Sequence, residues 1–205
     1  MREAGVKPVS CNTFISEINA YLNWLHENGY LPERLRIEKL KTEQTVIKIL
    51  PDATLKALLT FKPKLFGEWR LQAVLCLAID CGARIEELLT LRRNAVDLDN
   101  LLIRVVGKGN KERMVPISFE CRKGIYHFLK RHQFDFVFPT LHGGKVSYHN
   151  LNRDYRRLCE KLGIKKEGSF HRLRHTFATN YTRSGGNVFY LSKVLGHTTL
   201  QMTKK

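Results

Sequence analysis

The sequence predicts a mainly α protein with one small antiparallel β-sheet, an α+β fold, and three observations lead there. Apolar residues recur at helical spacing through most of the chain. One stretch, 101–117, is instead rich in β-branched residues on both sides of Gly107-Lys108-Gly109-Asn110-Lys111, the pattern of a hairpin with a basic turn. Hydrophobic residues make up 43% and charged residues 26% of the 205, a globular composition and not a disordered one.

Taken in order, the first helix covers 13–28, capped by Ser10 or Asn12, with Phe14, Ile18, Tyr21, Leu22 and Leu25 as its apolar stripe and Gly29 ending it. That stripe has few partners within the chain. Residues 32–44 carry alternating charges and few large apolar groups, so they read as a linker, with a short exposed helix as the alternative. The predicted boundary therefore separates 1–44 from 45–205.

Beyond it the apolar pattern is denser. Pro51-Asp52 opens a helix through Leu55, Leu58 and Leu59, and a second helix covers 69–80. The apolar run 71–83 is interrupted by Asp80 and is too short to span a bilayer, so it reads as a buried helix. Cys81-Gly82-Ala83 makes a break before a helix over 85–91. The hairpin strands are 101–106 and 113–117. A helix over 119–131, a short strand near 136–138, a loop at Gly143-Gly144 and a helix over 148–162 ending at Gly163 follow. Ser169 caps the next helix, whose stripe is Leu173, Phe177 and Ala178. Gly185-Gly186 breaks it, and 188–195 forms another helix.

Charge and cysteine usage narrow the function. Lys and Arg number 35 against 19 Asp and Glu, a net charge of +16, and the pI is near 9.9. Such an excess favours a polyanion partner, above all nucleic acid, although a merely basic protein shares it. The five cysteines show no C-x-x-C pair and are odd in number, which argues against a zinc site or a disulfide framework and fits a reducing cytosol. The N-terminus has no apolar signal core. Acidic residues form no cluster that a metal-dependent nuclease would need.

Four basic stretches sit at structural corners. Arg84 follows the Gly82 break with Glu87 three residues on; the plain alternative is a structural pair with Glu87 or Glu86. Lys108 lies between two turn glycines, where an ordinary solvated lysine would also fit. His171 and Arg174 share one helix face, suited to a phosphate oxygen or simply to water. His197 follows Gly196, as a helix-capping histidine would.

Together, Arg84-Ile85-Glu86-Glu87-Leu88, Gly107-Lys108-Gly109-Asn110-Lys111-Glu112-Arg113, His171-Arg172-Leu173-Arg174-His175-Thr176 and Leu195-Gly196-His197 resemble the tyrosine recombinases, or phage integrases, in their Xer-like and transposon-integrase branch. The resemblance covers about 50–205. It implies that family's catalytic-domain fold over 45–205, lacking its C-terminal end. It also implies that 1–44 is the last helix of the helical core-binding domain plus a linker. The implied activity is site-specific DNA cleavage and rejoining through a 3′-phosphotyrosyl intermediate. In that scheme Arg84 and Arg174 clamp the phosphate oxygens, His197 donates to them, Lys108 protonates the leaving 5′-oxygen, His171 assists at the tyrosine, and Glu87 supports the site. Arg153, Arg156, Arg157 and Lys111 are candidate DNA contacts, or a solvated basic face.

The sequence departs from the family pattern in two respects. The resemblance implies a core-binding bundle with further helices ahead of Val9, which this sequence does not carry. The family's nucleophilic tyrosine, counted from His197, falls just past Lys205, and none of Tyr21, Tyr30, Tyr126, Tyr148, Tyr155, Tyr181 and Tyr190 matches its place. The chain is therefore expected to bind double-stranded DNA without cutting it. No metal or organic cofactor and no membrane partner is implied. The resemblance implies tetramers on DNA for full-length members, with this chain as a monomer. A non-catalytic DNA-binding or regulatory relative is the alternative left open.

Overall fold

The computed structural model describes residues 6–42, 49–107, 109–164 and 170–196, and the chain divides into two compact units, 1–46 and 47–205. In the first, helix α1 spans Pro8–Glu27. It starts earlier than the sequence predicts because Pro8 occupies the first turn, where a missing N–H costs nothing. Ser10 and Asn12 therefore lie inside the helix and cap nothing. Asn12 has another use. Its amide both accepts from Leu40 N (2.8 Å) and donates to Leu40 O (2.9 Å). Asn19 does the same for Ile37, at 2.8 Å in each direction.

The spacings explain the pairing. Two helical turns between Asn12 and Asn19 rise roughly 10 Å, and three extended residues from Ile37 to Leu40 cover the same span. Residues 34–42, expected as a free linker, thus run extended and antiparallel along α1. Gly29, with φ 77°, ends the helix as predicted, and Tyr30 N reaches back to Leu25 O. Phe14, Ile18 and Tyr21 of the predicted stripe are exposed.

The second unit is built on helix α3 (Phe66–Cys81), which buries Leu71, Ala73, Val74, Leu75, Leu77, Ala78 and Cys81. A helix apolar on nearly every side must be enclosed. Helices α2 (Asp52–Thr60), α5 (Phe119–Leu129), α6 (Tyr148–Lys161) and α7 (Phe170–Arg183) pack around it. Asp80 interrupts the apolar run because its carboxylate accepts Ser118 N at 2.8 Å and so fixes the start of α5. Short helix α4 (Ile85–Leu89), helix α8 (Val188–Leu195) and a 3₁₀ turn at Arg93–Ala95 complete the helical set among the described residues.

The sheet is antiparallel in the order β1 (Val96–Asp97), β2 (Leu102–Val106), β3 (Glu112–Pro116). The hairpin is where the sequence places it. Strand β1 escapes sequence reading because two residues carry no periodicity. The strand expected near 136–138 is only an isolated bridge between Phe136 and Arg92; Val137 and Phe138 are buried there as core residues. Along β3, Arg113 and Val115 share the inward face while Glu112 and Met114 point out.

On α7 the buried residues are Phe170, Leu173 and Thr176, and Phe177 is partly buried; Ser169 lies outside the described residues. Phe177 packs against Gly82, where an added Cβ would sit 2.3 Å from the ring. Gly82 also holds φ 62°, so both space and backbone require glycine there.

His132, 7% exposed, sits among the rings of Phe66, Phe128 and Phe134. Burial, and then the charge of Arg93, pushes its pKa below the ordinary 6.5. The unfolded chain therefore takes up a proton here before the folded one does. Stability should fall as pH drops below about 6.5 toward the depressed value. In His132→Phe that part of the loss should vanish from urea melts taken between pH 7 and 5.5; an unchanged pH slope would show that His132 does not cause it.

Candidate active site

The left-handed Gly82 turn ends α3 and delivers Arg84 to the first position before α4. One turn on, Glu87 reaches back. Its Oε2 accepts the Arg84 backbone N–H at 2.9 Å, and its Oε1 accepts the Arg84 guanidinium at 3.1 Å. From the inward face of β3, Arg113 forks onto the same carboxylate, Nη1 to Oε1 at 2.9 Å and Nη2 to Oε2 at 2.8 Å. The structural pairing of Arg84 with Glu87 is thus present, but it is part of a larger cluster.

Glu87 is 5% exposed. Burial alone would raise its pKa. The hydrogen bonds from Arg113 and the Arg84 backbone, with the Arg113 charge, outweigh that and hold the carboxyl below its ordinary range.

Arg174 joins from α7. Its Nη1 donates to Gly82 O at 2.8 Å and its Nη2 to Leu195 O at 2.6 Å. The end of α8 is the common anchor. Val194 O accepts from Arg113 Nε at 2.8 Å, Leu195 O from Arg174, and Gly196 O from Arg84 Nη2 at 3.3 Å. A helix C-terminus exposes unpaired, partly negative carbonyls, and three guanidiniums satisfy them here. Burial, then the like charge of Arg84, lowers the Arg174 pKa from 12.5 to about 10, so it stays cationic at neutral pH.

Two guanidiniums bind the one carboxylate and a third, Arg174, meets the same helix end, which leaves the cluster net positive. Each guanidinium carries five N–H donors, and Arg84 and Arg174 spend only some of theirs on the described residues. The Arg84 side chain is 40% exposed. What remains is a preorganised fork for an oxyanion.

The structure therefore brings Arg84, Glu87 and Arg174 together. His171 is exposed one turn before Arg174 on α7, and His175 has its pKa lowered by burial, then by His171 and Arg174. Lys108 and His197 lie outside the described residues, but their neighbours Gly107 and Gly196 both touch the cluster. A Cβ on Gly107 would sit 3.4 Å from Glu87 Oε1, and one on Gly196 3.1 Å from Arg113 Cζ. Arg153, Arg156 and Arg157 line the solvent face of α6, opposite buried Leu151, Tyr155 and Leu158, and Lys111 is exposed at the hairpin end.

The residue that sequence reading gave no role is Arg113. The signal was available: strand alternation puts it on the face of Val115, and a charge on an inward face must have a partner. Among the described residues no group of three or more His, Cys, Asp or Glu side chains is placed to hold a metal ion. No described helix is long and apolar enough to cross a membrane, and all five cysteines are free thiols.

The model of the phage integrase family matches residues 48–205. The chain belongs to the phage integrase family. Among its integrase-family relatives, the tyrosine recombinase XerD of Pseudomonas putida is 30% identical over 215 residues, taking in 98% of this chain and 72% of that protein. The tyrosine recombinase XerC of Shewanella amazonensis is 26% identical over 211 residues, covering 100% and 71%.

Solved integrase-family structures share the fold. The Tn1549 transposon integrase, in complex with transposon right end DNA, superposes with a TM-score of 0.84 at 19% identity, over 99% of this chain and 76% of that one. The XerA recombinase gives 0.69 at 28% identity, over 78% of this chain and 60% of that one. The α+β catalytic-domain fold expected from the sequence is thus the integrase fold.

Proposed function

We propose that this chain carries the phosphate-activating half of a site-specific DNA recombinase. The observation that carries the reading is the convergence of Arg84 and Arg113 on Glu87 and of Arg84, Arg113 and Arg174 on the last carbonyls of α8. In the reaction a tyrosine oxygen attacks a backbone phosphorus, the bond to the 5′-oxygen breaks, and a 3′-phosphotyrosyl link forms. The non-bridging oxygens gain charge on the way. Arg84 and Arg174 bind them with permanently cationic forks. His197 adds a donor, Lys108 gives its proton to the leaving 5′-oxygen, and His171 takes part in proton transfer at the tyrosine. Glu87 keeps Arg84 in place. The covalent link conserves the energy of the broken ester, so a second 5′-hydroxyl reverses the step without ATP.

The nucleophile in this reading comes from outside the chain. All seven tyrosines are among the described residues, and none of them hydrogen-bonds to Arg84, Arg113 or Arg174. We assign residues 1–44 to the end of the core-binding domain, with tetramers on DNA for the full-length protein and a monomer for this chain. The partner is double-stranded DNA and the compartment a reducing cytosol.

On a nicked suicide duplex this chain should bind and form no covalent adduct, whereas the protein extended through its tyrosine should form one. An adduct from the present chain on a denaturing gel would place the nucleophile inside it and overturn this part of the reading. Binding should be electrostatic. In anisotropy titrations across a salt series, Arg153→Ala, Arg156→Ala and Arg157→Ala should each lower the slope of log K against log salt by about 1. Unchanged slopes would make that face of α6 a solvated surface only.

A further inference from the structure

We infer that Arg113 is a positioning residue that holds the parts of the cleavage site in one arrangement; the inference rests on the recombinase reading above. Arg84 is partly open to solvent, but the Arg113 side chain is only 15% exposed. Its Nη1 and Nη2 are committed to Glu87 and its Nε to Val194 O. It therefore acts on the site through its neighbours and not on a ligand.

Three connections run through it. By forking Glu87 it fixes the carboxylate that holds both the backbone and the guanidinium of Arg84. By binding Val194 O, and by packing against Gly196, it fixes the helix end whose next carbonyls hold Arg174 and Arg84. That same end leads into His197. By lying 3.6 Å from where a Cβ on Gly107 would be, it braces the start of the turn that leads into Lys108. Gly107 N closes that turn onto Lys111 O at 2.8 Å. One planar guanidinium thus meets three segments far apart in sequence. A lysine at this place would keep the charge but could not fork a carboxylate and reach a carbonyl with fixed geometry.

The test uses the chain as it stands, with inorganic sulfate as the probe at constant ionic strength. The readout is the Nε–H resonances of Arg84 and Arg174. In the wild type both should shift and saturate with sulfate. Arg113→Lys should unfold cooperatively like the wild type. Its Arg84 resonance should move toward that of a free arginine, and its sulfate affinity should fall by about 10- to 100-fold, the scale on which groups orienting metal ligands act.

A merely structural role would lower the melting temperature and leave these resonances unchanged. Should Arg113→Lys fail to fold, Gly196→Ala, whose methyl would sit 3.1 Å from Arg113 Cζ and 3.2 Å from its Nε and Nη1, should displace the same resonances by less. Wild-type resonances and affinity in the folded variant would overturn the inference alone. A wild type whose Arg84 and Arg174 ignore both sulfate and duplex DNA would bring down the recombinase reading, and this inference with it.

Discussion

Arg174→Ala should remove strand cleavage from the protein that carries the nucleophilic tyrosine, slowing it by about 100- to 1,000-fold or more, the cost of losing one donor aimed at transition-state charge. The size follows from the site. Arg174 is partly buried beside Arg84, so its charge acts at reduced dielectric, and its pKa of about 10 leaves it fully cationic. It also has a structural duty, since it ties Gly82 O to Leu195 O. Stranding those two carbonyls costs about 1–3 kcal/mol each if water cannot reach them. The cleavage assay therefore needs a denaturant melt beside it. The expected result is a folded protein that binds duplex DNA and forms no adduct on a suicide substrate. Near-wild-type adduct formation would refute the assignment of Arg174. Arg174→Lys separates charge from geometry: it keeps the cation, loses the fork, and should recover only a small part of the rate.

What was legible in the sequence follows a physical pattern. Helix α6 shows itself because its burial repeats with the helical period, and α3 through a long apolar run. The hairpin shows itself through β-branched alternation around a glycine turn. The arginines at Arg84 and Arg174 were legible because each sits beside a local marker, a glycine break or a histidine one turn away. Arg113 is marked only by strand alternation, which sets it on an inward face without naming its partners. Its partners are Glu87 and Val194, 26 and 81 residues away, and only the folded chain brings them together. The same reason hid the asparagine pairing in the first unit. Asn12 looks like a cap because nothing near it in sequence announces Leu40. Short pairings such as Val96–Asp97 with Leu102–Ile103 lie below the length at which any period can be read.

Glu87→Gln should destabilise the second unit by about 3 kcal/mol, the lower part of the range for breaking a buried ion pair, because Arg84 is too exposed to count in full. The carboxylate accepts four bonds: two from Arg113, one from the Arg84 backbone and one from its guanidinium. A glutamine of the same shape offers one accepting oxygen and turns an N–H₂ group toward the others, so donor meets donor. Arg113, Arg84 and Arg174 would then face one another with no anion between them. For a domain of this size the loss corresponds to a melting temperature lower by about 6–12 °C. The pH dependence supplies a second check. Glu87 titrates below its ordinary 4.5 in the folded protein, so the stability it lends is complete above that pH and fades as pH falls through the lowered value. Wild-type stability should therefore drop steeply below about pH 4.5, and the glutamine variant should lose that part of the slope. Equal stability at pH 7, together with an unchanged acid limb, would mean that the carboxylate holds neither arginine in solution.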